Sequence, residues 1–536
     1  MKKERIICII MLIVFSFVIS ACAGAYDYAP SDPPPAPSDY LSDPPPAEIP
    51  MPSPTPDPYD PSFPDYWDSA QAESYLVITE NLAVTTDVES TLTFSLKVDT
   101  AAYTNVARFL ESGNLPPHDA VRTEELINYF TYDNDMSFER DAVFAMSAEV
   151  GPSPFSADRH LALIRVKSVD IDKSELPPCN LTFLIDSSGS MASHDRMPLL
   201  KESFGLLVET LTEDDRVSIV TYAGRSAILL DGASGADKDR IMSVINSLEA
   251  GGSTAGQKGI QTAYSLAEKN YLPNANNRVI LATDGDFNVG LSSNSALAKL
   301  VGEKRGNDIY LSVLGYGMGN IRDDLMETLS REGNGNYFYI NNLAEAQKAL
   351  VDELAANLYT IADDVKAQVE FNPHNVKNYR LIGYENRRLN NRDFDDDMKD
   401  AGEIGVGTDV IMMFELELQG TATTTGNRYS PDNDTLPNFA NELFEVRLRY
   451  KQPGETRSNL MLKQVFIDDI VDFGSTDFRF ATAVASFAHL LRDSEYARDI
   501  TIAEVSELAM GSLGFDQAGY RRDFIRLLQL YEWIQQ

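Results

Sequence analysis

Phe183-Leu-Ile-Asp-Ser-Ser-Gly-Ser-Met-Ala-Ser-His-Asp195 runs from an apolar tripeptide straight into a cluster of small oxygen-bearing side chains. Upstream the apolar half continues as Leu181-Thr-Phe-Leu-Ile-Asp186, almost without polar interruption. A run of this kind reads as a strand buried on both faces, as the strands of a parallel sheet are. The loop after it offers hydroxyls and carboxylates, and three readings compete: a solvated turn, a nucleophile, or one corner of a metal site.

The chain on either side of this stretch alternates regularly. Pro198 to Leu211 has helical spacing, and RVSIVTYAG from Arg216 and SAILLDG from Ser226 read as strands. The helix DKDRIMSVINSLEA from Asp237 follows, then Gly251-Gly252, a helix from Gly259 to Asn270 and the strand Arg278 to Thr283. Beyond lie the helix SNSALAKLVGEKR, the strand DIYLSVLGYG, the helix IRDDLMETLSREG, the short strand NYFYIN and a long helix expected from Leu343 to about Val365. Apolar strands alternating with helices predict an α/β fold, a doubly wound and mostly parallel sheet covered on both faces. In such sheets ligands sit beyond the carboxyl ends of the strands. LTFLID ends there in Asp186, RVILATD ends in Asp284, and Gly251-Gly252-Ser253-Thr254 opens a helix after two glycines. Three separate loops therefore deliver Asp186, Ser188, Ser190, Thr254 and Asp284 towards one edge.

Nucleophilic catalysis fits poorly. A serine nucleophile needs a base and an oxyanion hole, yet there is no G-x-S-x-G elbow, and only His194 of the five scattered histidines is near. A P-loop is excluded because no glycine-rich segment ends in G-K-[ST]. No catalytic residue is predicted, and the expectation is a protein that is not an enzyme.

DSSGS at 186–190, GGSTAG at 251–256 and ATDGD at 282–286 together resemble the metal-ion-dependent adhesion site of von Willebrand factor type A domains. The resemblance implies a Rossmann-like type A domain in which Ser188, Ser190 and, with ligand bound, Thr254 contact a metal directly. Asp186 and Asp284 would mostly hold its waters and the serine hydroxyls. Mg²⁺ (or Mn²⁺/Ca²⁺) is the implied cofactor, and Mg²⁺ seeks six oxygens while keeping waters readily. Neutral direct ligands leave the ion's charge poorly quenched, so the implied partner is a protein offering an Asp or Glu carboxylate.

The N-terminus carries different information. Lys2-Lys3-Glu4-Arg5 precedes the apolar run Ile6 to Ile19, the layout of a signal peptide. Ile19-Ser20-Ala21-Cys22 resembles the lipobox of bacterial lipoproteins. It implies removal of residues 1–22 as a signal, lipidation of Cys22 and an extracytoplasmic protein anchored to the bacterial cell membrane. Of Cys8, Cys22 and Cys179, only Cys179 would then keep a thiol, so no internal disulfide is expected. Residues 23–70, with triple prolines at 33–35 and 44–46, favour extended polyproline II and are expected to form a disordered tether. At about 3.1 Å per residue, residues 23–66 of it could span roughly 130 Å.

The formal charge of -36 argues against nucleic acid as a partner, because that binding rests on phosphate neutralisation by basic residues. Strand patterns at Val143–Val150 and Leu161–Val169, and again in AQVEFN, NYRLIGYEN, DVIMMFELEL, LFEVRLRY and NLMLKQVF, predict a β-sandwich-like domain interrupted by the type A domain. The predicted order is an N-terminal α+β region (75–178) contributing strands to that β domain, with helices in TAAYTNVARFLESG and AVRTEELINYF. The type A domain (179–358), a β-rich domain (359–476) and a helical C-terminal region (477–536) follow. Asp393, Asp395 and Asp397 alternate in the loop to Glu403, but Met398 and Ile404 break the EF-hand pattern, and a solvated turn is expected, with a looser Ca²⁺-binding loop as the alternative. VDTAAYTNVARFLESGNLPPHDAVRTEELINYF, GNGNYFYI, VEFNPHNVKNYRLIGYENR and DAGEIGVG extend the resemblance to bacterial von Willebrand type A lipoproteins of the YfbK-like kind. Thr408 departs from it where a histidine is expected. Metal-dependent adhesion or surface protein interaction is the function implied. An envelope assembly or chaperone-like scaffold with a mainly structural metal is the alternative.

Overall fold

The structure, a computed structural model, describes residues 73–536 except 98, 133–135, 141, 173–174, 253–255, 286–293, 400, 420–438 and 515. Cys22, the expected leader and tether and Thr254 lie outside the described residues.

The central sheet runs in the order Tyr337–Ile340, Ile309–Tyr316, Asn276–Thr283, Cys179–Asp186, Arg216–Tyr222, Ser226–Ser234. Its first five strands are parallel, and only the last, at the edge, is antiparallel. All eight residues of Cys179–Asp186 are buried, which is why that strand reads as an unbroken apolar run. One face packs Phe183, Phe204, Leu207 and Ile241; the other packs Leu184, Ile260, Val301 and Leu325. This is the doubly wound α/β arrangement that the spacing predicts.

Around it lies a β-sandwich assembled from both flanks. One sheet orders Val84–Thr85, Val376–Ile382, Asp409–Leu418, His160–Ser168 and Phe144–Pro152, each neighbouring pair antiparallel. The other orders Arg388–Leu389, Thr91–Ser95, Thr360–Phe371, Glu442–Lys451 and Asn459–Phe466, with Gly402–Gly405 also paired to Thr360–Phe371. Strands from before and after the type A domain thus pair within each sheet, and Phe94, Phe371, Phe414 and Phe444 fill the space between. A helical layer completes the fold. The C-terminal helices Thr476–Leu491, Ile502–Met510 and Tyr520–Gln535 bury their apolar stripes against the helices Ala101–Glu111 and Thr123–Ile127, around Phe130, Phe480 and Phe524.

Two sequence expectations fail. The long helix from Leu343 to about Val365 breaks into Leu343–Gln347, a π-helical turn at Lys348–Asp352 and Leu354–Leu358, and a strand begins at Thr360. That strand has partners on both sides, Thr91–Ser95 and Glu442–Lys451, so tertiary pairing overrides helical spacing. The helix expected in AVRTEELINYF shrinks to Thr123–Ile127. Beyond it the Asn128 side chain donates to Ile411 O and accepts from Ile411 N, which ties the chain to the sandwich instead of continuing the helix.

Candidate metal centre

The strand Cys179–Asp186 delivers Asp186 to the carboxyl edge of the sheet, and the neighbouring strand delivers Tyr222 in register with it. The Tyr222 hydroxyl donates to Asp186 Oδ2 at 3.0 Å, and Thr283 Oγ1 donates to the same oxygen at 3.2 Å. Asp186 Oδ1 accepts from the Ser188 amide at 2.8 Å, which turns the chain so that Ser188 Oγ and Ser190 Oγ stand 2.8 Å apart. The loop of Gly251-Gly252 is docked onto the same turn: Gly189 N donates to Gly252 O at 3.1 Å, and Gly251 N to Ser187 O at 2.8 Å. Gly252 and Gly285 sit at φ of 92° and 101°, a region that favours glycine.

Asp186 and Asp284 are both fully buried. Desolvation, reinforced by the neighbouring Asp284 charge, pushes the Asp186 carboxyl up to about 6 despite its hydrogen bonds. Arg196 is the cation at the site. Its Nη1 donates to Asp284 Oδ2 and to Ser190 O, both at 2.7 Å, and its Nη2 donates to Met318 O at 2.7 Å and Asn320 Oδ1 at 2.8 Å.

Of the five predicted residues the structure thus brings Asp186, Ser188, Ser190 and Asp284 to one edge, and Thr254 lies outside the described residues. Arg196, Tyr222 and Thr283 are additions to the predicted set. Tyr222 was open to discovery by aligning the ends of adjacent strands. Arg196 carried no signal, because its partners span positions 190 to 320. His194 is exposed, and Asp195 accepts a hydrogen bond from Ser193 Oγ at 2.5 Å.

The donor set fits a hard divalent cation. Two hydroxyls converge beside two buried carboxylates whose mutual repulsion a cation would relieve, and all the ligating atoms are oxygens. Elsewhere, Asp395 and Asp397 are held by the guanidinium of Arg449 at 2.8 and 3.1 Å. Among the described residues no group of three or more His, Cys, Asp or Glu side chains is placed to hold a metal ion.

Over residues 180–353 the chain matches the von Willebrand factor type A domain family, over 69–163 a family described as von Willebrand factor, and over 356–534 the family described as uncharacterized protein YfbK, C-terminal. It is 42% identical to uncharacterized protein YfbK of Escherichia coli (strain K12) over 450 residues, 82% of this chain and 78% of that one. The chain belongs to the YfbK family. An uncharacterized Synechocystis protein is 27% identical over 191 residues, 36% of this chain and 44% of its own. Among solved structures, a von Willebrand factor type A protein from Catenulispora acidiphila is similar, with a TM-score of 0.43, 15% identity and coverage of 74% of this chain and 92% of that one. Type A domains generally serve protein–protein interaction or adhesion and often bind a divalent metal.

Proposed function

We propose that this chain is a lipid-anchored protein of the bacterial cell envelope, outside the cytoplasm, that captures a protein partner through a divalent cation at the Asp186 edge. The observation carrying this reading is the pairing of converging serine hydroxyls with two buried, mutually repelling carboxylates. Ser188 and Ser190, with Thr254, would hold Mg²⁺ or Mn²⁺, and Asp186 and Asp284 would hold its waters and orient the hydroxyls. The bound ion supplies a Lewis-acidic point able to accept an Asp or Glu carboxylate from the partner.

The role is binding and not catalysis. Ser188 and Ser190 hydrogen-bond to each other, and the nearby His194 is solvent-exposed, an arrangement without an activated nucleophile. Anchoring through Cys22 rests on the lipobox-like ISAC and the tether on the prolines that follow. Calorimetry tests the reading: the chain binds Mg²⁺ or Mn²⁺ and Asp186→Ala abolishes binding. Unchanged binding in that variant overturns it. Pull-downs with and without chelator then separate metal-dependent capture from a scaffold in which the metal is mainly structural, because only the first loses its partner.

A further inference from the structure

The described chain begins with three residues that occupy an unusual place. Ser74 N donates to Ile321 O at 3.0 Å, Asp324 N donates to Ser74 O at 3.2 Å, and Ser74 forms an isolated parallel bridge with Arg322. Ser74 Oγ donates to Asp324 Oδ1 at 2.5 Å and accepts from Arg322 Nε at 2.8 Å. One residue earlier, Glu73 takes both guanidinium nitrogens of Arg108, at 3.0 and 2.9 Å, and also accepts from the Gly319 amide at 2.9 Å. Tyr75 completes the clasp, donating its hydroxyl to Glu73 Oε2 at 2.7 Å and accepting from Asn105 at 3.0 Å. Nearly every polar group of this strap is therefore spent on the loop Gly317–Arg322, on the start of the helix Asp323–Glu332 that follows it, or on the helix Ala101–Glu111.

That loop is the outer wall of the candidate metal centre. Met318 O and Asn320 Oδ1 take one side of the Arg196 guanidinium, whose other side takes Asp284 and Ser190 O. Gly317, at a φ of 77°, lies so close under Arg196 that a Cβ there would stand 2.1 Å from Nε. Gly285, next to Asp284, is pressed equally hard against the loop: a Cβ on it would lie 2.6 Å from Asn320 O and 2.8 Å from Arg322 N. Side chain and backbone thus give two independent routes by which the position of the loop sets the position of Asp284.

We propose that Glu73, Ser74 and Arg196 are positioning residues for the metal centre, a strap and latch through which the segment entering the folded part of the chain sets the geometry of Asp284 and Ser190. The metal half of this inference rests on the function proposed above. None of the three is assigned as a ligand. They act on the ligating loops from behind, and groups that orient metal-site carboxylates govern affinity strongly. Displacing the strap withdraws hydrogen bonds from the wall loop, and the change reaches the site through Arg196 and the backbone beside Asp284.

The experiment uses the full-length chain and two readouts. In Glu73→Ala, amide exchange of the segment 187–196 accelerates without metal, and the affinity for Mn²⁺ falls about 3- to 10-fold. Glu73→Gln keeps an acceptor for Gly319 N but loses the ion pair with Arg108, and gives a smaller effect of the same sign. In an Arg196→Ala background, Glu73→Ala costs less Mn²⁺ affinity than in the parent chain, because only the backbone contact at Gly285 remains, a dependence that general destabilisation does not produce. Unchanged exchange at 187–196 in Glu73→Ala overturns the proposal, as does an equal loss of affinity in both backgrounds. If the parent chain binds no Mn²⁺ while exchange at 187–196 responds as described, the strap stands and the metal reading falls.

Discussion

Two groups of buried carboxylates flank the segment Gly317–Glu327, and they are balanced in opposite ways. At its far end Asp99, Glu125, Asp323 and Glu327 meet Lys97, Arg122 and Arg387. Arg122 alone reaches Glu125 Oε1 at 2.5 Å, Asp323 Oδ2 at 2.6 Å and Glu327 Oε2 at 3.8 Å. At the near end Asp186 and Asp284 share a fully buried edge. Arg196 binds Asp284, while the hydrogen bonds to Asp186 come from an amide and two neutral hydroxyls. Carboxylates nearly matched by cations in fixed geometry serve as a joint, here between the type A domain, the N-terminal helices and the sandwich. A carboxylate left with neutral donors retains the capacity to take up positive charge from outside the chain.

The largest expected effect breaks the joint. Arg122→Ala leaves Glu125, Asp323 and Glu327 buried without their main cation, and removing one partner of a buried network costs about 3–5 kcal/mol. Denaturant unfolding checks this, and a loss within about 0.5 kcal/mol would show that the network is as dispensable as a surface pair. Breaking the near end instead with Asp186→Ala removes a desolvated charge that folding opposes. The contrast therefore predicts that Arg122→Ala destabilises the chain and Asp186→Ala leaves it folded but unable to bind metal.

The second expected effect sharpens the contrast through pH. The Asp186 carboxyl is pushed up to about 6 from an ordinary 3.8, chiefly by desolvation and then by Asp284. Between those values the metal-free folded chain holds a proton that the unfolded chain has released. Its stability therefore falls as pH rises through that window and levels off above it. A cation needs the ionised form, so Mn²⁺ affinity moves the other way, rising up to about tenfold per pH unit below 6 and flattening above it. Calorimetric titrations from pH 5 to 7.5 check both the slope and its end point. Affinity that is flat across that range would mean that Asp186 is not desolvated as the structure has it.

The two regions also differ in how far the sequence discloses them. Asp186, Ser188, Ser190 and Asp284 could be placed together because each sits at the end of a strand whose unbroken apolar run marks it, and parallel topology aligns such ends. The Arg122 network left no such trace: Arg122 and Asp323 stand 201 residues apart, and each alone reads as an ordinary charge at a helix start. The split sandwich was legible from alternation in its strands, but the start of Thr360–Phe371 was not. Ala362-Asp363-Asp364-Val365 carries helical spacing, and only pairing with Thr91–Ser95, Glu442–Lys451 and Gly402–Gly405 decides its state. Arg196 escaped for the same reason as Arg122, since its significance lies in partners brought from three loops.

The smallest expected effect tests whether charge balance, rather than the density of carboxylates, separates joint from binding site. The acidic loop Asp393–Glu403 has more carboxylates in sequence than the candidate metal centre, yet Arg449 spans Asp395 and Asp397, Ser458 Oγ donates to Asp397 at 2.5 Å, and Lys451 pairs with Asp364 beside it. Most of the Asp395 side chain is in water, at 83% exposure, where ion pairs contribute little and salt screens them. Arg449→Ala is therefore expected to leave the thermal midpoint unchanged within error, and millimolar Ca²⁺ is expected to leave the loop's amide exchange unchanged in the parent chain. Removing Arg449 tips the loop towards the imbalance seen at Asp186, so weak Ca²⁺ protection of residues 395–397 should emerge in that variant alone. Protection already present in the parent chain would show that carboxylate density suffices and that balance does not decide between the two roles.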